Sequence, residues 1–273
     1  MNRYNSTSDA YLDALRQVYF NYQFKSAPRG MPVREIMDYT FTVVNPDSKP
    51  IITNDEDRNE VIRSYTAKET ELYNACTNRV EDFAKASKFW EKLANVDGTV
   101  NSAYGYLIWK NRSHGNHLYE MAENGVKAPA FNGTPQFIAK KDSCYRTPWE
   151  WAKQCLIADK DTRQAIMRFS LPEHFYKGVK DFTCTTHANF LIRDEKLHLT
   201  VVMRSNDLML GLVYDLPWFV SLMDKMIDEL KEYYPNLTKG NYTHIAHSMH
   251  IYERDEARVL RMLGREAVIC GAV

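Results

Sequence analysis

Excess charge, long apolar runs and paired cysteines are all missing from this chain. Its 273 residues carry 35 Lys and Arg against 35 Asp and Glu. There is therefore no basic field for coating nucleic acid, so strong nucleic-acid binding is not expected, and no acidic tail. Apolar stretches such as Phe219 to Leu222 fall far short of the roughly 20 residues of a membrane helix, and Met1 to Ala10 has no apolar signal core. The five cysteines (Cys76, Cys144, Cys155, Cys184, Cys270) are an odd number without CxxC spacing, which argues against a disulfide scaffold or zinc site. Reduced thiols, one of them a candidate for reactivity, are expected in a soluble cytoplasmic protein that needs no metal. GxGxxG, P-loop, HExxH and GxSxG motifs are missing too, which removes the usual support for dinucleotide, nucleoside triphosphate, zinc-protease and α/β-hydrolase chemistry.

What is present is an ordinary globular composition, 44% hydrophobic and 26% charged, without a repeat, linker or composition break. The chain reads as one α+β domain spanning 1–273, a mixed or antiparallel sheet flanked by helices. Ser6 to Ser8 offer caps for a helix carrying Tyr11, Leu15, Val18 and Tyr22 at helical spacing. Met37 to Val44 reads as a strand closed by Asn45-Pro46-Asp47. Thr147-Pro148 starts a helix with Trp151 and Cys155 inward, and Ala165 to Phe169 is a short strand. Phe190 to Ile192 should pair with Leu197 to Met203 across Arg193-Asp194-Glu195-Lys196. Asp215 is expected to cap a helix with Pro217 in its first turn. In the last strand the even positions Tyr242, His244, Ser248, His250 and Tyr252 share one side, as a ligand wall would.

Two places concentrate chemistry. Asn54-Asp55 caps a helix whose apolar stripe is Ile62, Tyr65, Leu72 and Cys76, and Glu69 falls inside that stripe. A carboxylate there either snorkels at the stripe's edge or is buried, where it must be paired or protonated. The segments 181–190 and 204–211 form the densest polar constellation: Cys184 stands twenty positions before Arg204-Ser-Asn-Asp207, which continues to Gly211.

A cysteine, an aromatic-containing strand and RSxDxxLG at this spacing resemble the thymidylate synthase superfamily, without a gap from Cys184 to Asp215. Glu69-Thr-Glu-Leu-Tyr73 resembles its ELxW[FY] helix, Trp90 with Tyr104-Gly105 its W and YG segment, Asp161-Thr-Arg163 its D-[ST]-R-R turn, and His250-Ile-Tyr252 its HxY. The motif-bearing core is 55–255. Within the superfamily, Cys184-Thr185, Leu191 to Asp194 and Met203 to Asp207 look most like the bacteriophage deoxycytidylate (dCMP) hydroxymethylases. If so, the cytoplasm in question is that of an infected bacterial host.

The resemblance implies a thymidylate synthase-like fold and a homodimer with shared active sites. It also implies 5,10-methylenetetrahydrofolate as the folate cofactor and a covalent adduct of Cys184 with carbon 6 of a pyrimidine. Arg204, its charge lowering the thiol pKa, would bind phosphate with Ser205 and a partner subunit's copy of Arg163. Glu69 and Tyr104 would move protons; His250 and Tyr252 would hold the sugar. Asp207 would face substrate and folate, with Trp90 and Gly211 lining the folate site; Trp90 could equally be core.

One substitution speaks to the substrate. The family's motif ends in Asn where this sequence has Asp215. An amide matches uracil O4 and N3–H; cytosine presents an amine donor and a bare N3, which a carboxyl sharing a proton can match. As a bare sequence feature Asp215 is also an ordinary helix cap. Against the family pattern, Thr40 to Val44 lacks the arginine of the RTGT loop, Gln164 replaces a second arginine, and Gly271-Ala272-Val273 resembles a tail that closes over folate and favours methyl transfer. A dCMP methyltransferase, a dUMP hydroxymethylase or thymidylate synthase, and a non-catalytic nucleotide- or RNA-binding protein remain alternatives to dCMP hydroxymethylation.

Overall fold

The computed structural model describes residues 2–111 and 147–265; the tail motif 271–273 lies outside them. Strands β1 (Asn2–Tyr4), β3 (Val33–Val43), β4 (Ile166–Arg168), β5 (Thr185–Arg193), β6 (Lys196–Met203) and β8 (Thr238–Tyr252) run in the order β1-β3-β8-β6-β5-β4. Strand β2 (Phe24–Ser26) pairs with β3, and β7 (Asn206–Asp207) with β8. The β1/β3, β6/β8 and β7/β8 pairs are parallel and the others antiparallel, so the sheet is mixed, as expected. Parallel neighbours need a crossover. Helix α6 (Val213–Leu230) supplies it between β6 and β8, burying Phe219, Val220, Met223, Met226, Ile227 and Leu230. No described helix is long and apolar enough to cross a membrane.

Local chemistry explains most boundaries. In α1 (Thr7–Phe20) Ser6 Oγ accepts from the Asp9 amide, and Tyr11, Leu15 and Val18 are buried; Tyr22 lies past the helix end and is exposed. Helix α2 (Glu56–Ala75) is capped by Asp55, which accepts from the Arg58 amide at 3.0 Å. Its buried face runs through Ile62, Thr66, Glu69 and Tyr73, placing Leu72 at the margin and Cys76 in the left-handed C-cap, outside the stripe expected for them. Short helices α3 (Val80–Ala86) and α4 (Tyr104–Trp109) follow. Helix α5 (Pro148–Ala158) opens with a Thr147/Glu150 capping box and buries Trp149 and Cys155, whereas Trp151 stays at the edge and donates to the Gln164 carbonyl. The β5–β6 hairpin closes through Asp194 and Glu195, both at positive φ (50° and 55°), the pair of left-handed residues that matches strand twist.

Two expectations change. Asp215 is not a helix cap. A π-helical turn, Leu208–Leu212, precedes α6, and Asp207 takes the cap, its Oδ1 accepting from the Met209 amide at 2.9 Å. Asp215 is consequently in the first turn of α6, free to point inward, and Pro217 lies inside the helix. In β8, Tyr242 and His244 are fully buried: the Tyr242 hydroxyl pairs with His244 Nδ1 at 2.9 Å and the imidazole stacks on Phe41. Burial holds that imidazole down at about 3, hence neutral. The wall is therefore confined to the strand's end, Ser248 to Tyr252. Helix α7 (Glu256–Met262) closes the described chain.

Candidate active site

Cys184 stands immediately before β5, where its carbonyl accepts from the Arg204 amide at 2.9 Å. Its Sγ lies 3.7 Å from Ser205 Oγ and 3.6 Å from Arg204 Nη2. The guanidinium is held on three sides: Nε donates to the Thr183 carbonyl at 3.1 Å, Nη2 to that of Phe182, and Nη1 to Ser205 Oγ at 3.1 Å. It also lies over the Phe182 ring at 4.8 Å. Burial pushes the thiol pKa up, while Arg204 and the Ser205 hydrogen bond pull it down. The arginine thus acts in the expected direction, but desolvation outweighs it, so the thiolate forms only when something else favours it.

A second polar group sits across the aromatic wall of the core, where Trp218 and Phe219 meet Tyr73, Tyr104 and Phe169 at ring separations of 4.8 to 6.4 Å. Glu69 is 9% exposed. Its Oε1 accepts from the Tyr65 hydroxyl at 3.3 Å, and that hydroxyl accepts from the Trp90 indole N–H at 3.1 Å. Burial and then the charge of Asp215 raise the Glu69 carboxyl to about 8. Asp215, part-buried, is raised to about 6 by burial, against the hydrogen bond that Asn206 Nδ2 donates to its Oδ2 at 2.8 Å. Between about pH 6 and 8 Glu69 therefore holds its proton while Asp215 has largely released its own, an arrangement suited to acid and base roles on one ligand. Tyr104 lies within electrostatic reach of both Asp215 and Cys184, whose charges add to burial in holding its phenol protonated. Its placement depends on Gly105: a Cβ there would fall 1.9 Å from the Tyr73 carbonyl oxygen, so no larger residue lets α4 close on α2.

The third part is the end of β8. Strand β7 pairs Asp207 with His250, and the His250 ring meets Tyr252 edge-on at 5.4 Å. Asp207 is raised by burial, with His250 opposing. Tyr252 lies within electrostatic reach of Asp207, Arg29, Arg254 and Cys184.

The structure thus gathers Cys184, Arg204, Ser205, Tyr104, Asp207, Asp215, Glu69, His250 and Tyr252. Trp90 is buried against Phe83 with its N–H committed to Tyr65, so it presents no open stacking face. Gly211 faces the Asn206 and Asp215 side chains. Arg163 is exposed ahead of β4 and joins none of the hydrogen bonds around Cys184. Sequence reasoning passed over three residues. Arg254 lies 4.5 Å over the Tyr252 ring. Arg29 sits in the Pro28–Gly30 turn before β3, with φ of 53°. Leu210 is 49% exposed beside Asp207, a large apolar group offered to solvent by the motif itself. Among the described residues no group of three or more His, Cys, Asp or Glu side chains could hold a metal ion.

Residues 9–270 match the family described as Thymidylate synthase. Over 197 residues, 70% of this chain and 67% of each relative, the sequence is 26% identical to the deoxycytidylate 5-hydroxymethyltransferases of Enterobacteria phages T6 and T4. A putative thymidylate synthase of Methanocaldococcus jannaschii is 40% identical over 73 residues, 26% of this chain and 31% of that one. The thermostable thymidylate synthase A of Bacillus subtilis superposes with a TM-score of 0.64, covering 95% of this chain and 84% of that one at 16% identity, a likeness of fold.

Proposed function

The chain belongs to the thymidylate synthase family, and on that footing we propose that it transfers a one-carbon unit to carbon 5 of dCMP, giving 5-hydroxymethyl-dCMP. The observation that carries this reading is Asp215: a carboxyl held near neutrality in the motif position where the family has Asn, fixed by Asn206 and facing Glu69 electrostatically. A carboxyl that can share a proton satisfies cytosine's bare N3 and accepts from its amine. In its ionised form it has no donor for uracil's O4, which the asparagine amide supplies.

When bound, 5,10-methylenetetrahydrofolate supplies the one-carbon unit. Asp207, Gly211 and the exposed apolar Leu210 are the groups available to hold it, and Trp90 would support that surface from behind through Tyr65. Carbon 5 of cytosine is a weak nucleophile until something adds at carbon 6. Cys184 Sγ would form that bond, its thiolate favoured by Arg204 and by the positive charge that builds on a ring protonated at N3. Glu69, protonated below about 8, would shuttle protons to and from the base and order the attacking water. Tyr104, kept as a neutral phenol between Cys184 and Asp215, would assist loss of the carbon 5 proton. Breaking the bond from Sγ to carbon 6 then returns the ring to aromaticity and releases the product.

Arg204 and Ser205 would bind the phosphate, and His250 with Tyr252 the sugar hydroxyl. Arg29 and Arg254 add positive charge beside Tyr252, where the RTGT arginine of the family pattern is wanting. Arg163 would complete the phosphate site of a partner subunit in a homodimer whose protomers each act as one catalytic domain.

The test is product identity. Incubated with dCMP and methylenetetrahydrofolate, the protein should yield a hydroxymethylated nucleotide and tetrahydrofolate. A methylated base with dihydrofolate would establish a methyltransferase instead, and no reaction with dCMP would overturn the reading.

A further inference from the structure

We infer that Asn206 is a positioning residue that sets cytosine over uracil preference, by fixing which oxygen of Asp215 carries the proton; the inference rests on the dCMP reading above. Asn206 is anchored twice. Its backbone belongs to β7, paired in parallel with Met249 of β8, and its side chain is 2% exposed. The amide Nδ2 donates to Asp215 Oδ2 at 2.8 Å. An NH₂ group can only donate, so Oδ2 must accept, and a proton taken up by Asp215 is directed to Oδ1. Without that bond either oxygen could be protonated and the carboxyl could rotate, so the edge shown to the base would not be defined.

Two further observations show that the surroundings are built around this pair. At Gly211 a Cβ would lie 2.8 Å from Asn206 Nδ2 and 3.2 Å from Asp215 Oδ2. The glycine of the motif therefore leaves room for the pair, which is a reason for glycine here independent of any ligand. Asn206 Oδ1, moreover, is buried without a protein partner among the described residues. A buried unmet acceptor is a cost that a purely structural asparagine would not need to carry. Next to the base-reading carboxyl it suits the donor hydrogens of cytosine's amine and opposes the oxygen that uracil has in their place.

The groups that face Asp215 from neighbouring elements are Glu69 and Tyr73 on α2, Tyr104 on α4, Asp207 on β7, Tyr242 on β8, and Cys184. None of these is a cation, and of the groups setting the Asp215 pKa only Asn206 lowers it. Removing its bond should therefore move the Asp215 midpoint upward from about 6.

Asn206→Leu, nearly isosteric, and Asn206→Ala should each lower the dCMP to dUMP ratio of kcat/KM at least about tenfold. They should also shift the pH midpoint of dCMP binding, read by calorimetry, to higher pH. Placed on an Asp215→Asn background, either change should leave the ratio where Asp215→Asn alone puts it. Gly211→Ala, which crowds the pair while keeping both of its side chains, is the second probe and should lower the ratio in the same direction. Equal losses for both nucleotides with an unmoved pH midpoint would overturn the inference and leave Asn206 a structural residue. A wild-type protein that prefers dUMP would instead overturn the dCMP reading, and this inference with it. A wild type that prefers dCMP, with variants keeping that ratio, would sink the inference alone.

Discussion

The β5–β6 hairpin and the segment from Arg204 to Asp215 are consecutive in the chain and satisfy their polar groups in opposite ways. In the hairpin each strand answers the other, from Arg193 opposite Lys196 back to Thr185 opposite Met203, and the alternate residues Leu197, Leu199, Val201 and Met203 are buried. The following segment has a two-residue strand and a π-helical turn, and distant side chains meet its carbonyls. Tyr11 donates to Leu208 O at 2.9 Å, and Arg58, 8% exposed, donates to Met209 O at 2.7 Å. Asp207 and Asp215 are both desolvated there. Local pairing makes the hairpin a scaffold. Long-range support lets its neighbour keep carboxyl groups in costly positions, where a reaction can use them.

If this contrast is sound, substitutions beyond the hairpin should damage chemistry and those within it should touch only stability. The largest effect is expected just outside the hairpin, before β5 begins: Cys184→Ala should reduce release of tritium from carbon 5 of dCMP roughly ten-thousandfold or more while leaving the circular dichroism unchanged. Next comes Asp215→Asn, which should invert the preference between dCMP and dUMP, a swing on the order of a thousandfold in relative kcat/KM measured by competition. In the wild type, dCMP affinity should weaken as pH rises through the region near 6, because the proton shared with N3 is lost; the Asp215→Asn protein should lose that dependence.

Glu69→Gln sharpens the comparison because activity and stability should move apart. Turnover should fall about a hundredfold or more. The folded-state pKa, about 8, lies above the ordinary value of 4.5. Below about 4.5 both folded and unfolded chains hold the proton and burial carries no charge penalty. Between 4.5 and 8 the unfolded chain releases it first, so wild-type stability declines with rising pH, and above 8 the full penalty applies. The glutamine variant should therefore gain on the wild type above pH 5 and level off above pH 8, by a few kcal/mol at most, in chemical denaturation at several pH values. The smallest effect belongs to the hairpin: Glu195→Gly, at φ of 55°, should change stability by no more than about 1 kcal/mol and leave kcat/KM unaltered.

The same contrast explains how much of the molecule was legible in the sequence. The hairpin, the Ser6, Asp55 and Thr147 caps and the intrusion of Glu69 into a buried face depend on residues close in sequence, and spacing revealed them. Asp215 was misplaced as a cap because local preference cannot tell which of two aspartates eight residues apart takes the helix start. Asp207 wins it through the π-helical turn that Tyr11 and Arg58 stabilise from distant elements. Trp90 could not be assigned, since its role depends on Tyr65 being one helix away. Arg29 comes near Tyr252 only because β3 pairs with β8, placing Val33 opposite Tyr252, whereas Arg254 follows Tyr252 by two residues. Asn206 drew no notice inside a motif already explained by its neighbours.

The central claim, that a proton-sharing carboxyl at position 215 makes this one-carbon transferase a cytosine enzyme, is tested most directly by one competition. Equimolar mixtures of dCMP and dUMP are offered to the wild-type protein with methylenetetrahydrofolate in two parallel reactions, dCMP tritiated at carbon 5 in one and dUMP in the other. Tritium should leave dCMP at a rate that exceeds release from dUMP by at least a hundredfold, with release dependent on Cys184. Equal release, or release chiefly from dUMP, would contradict the account.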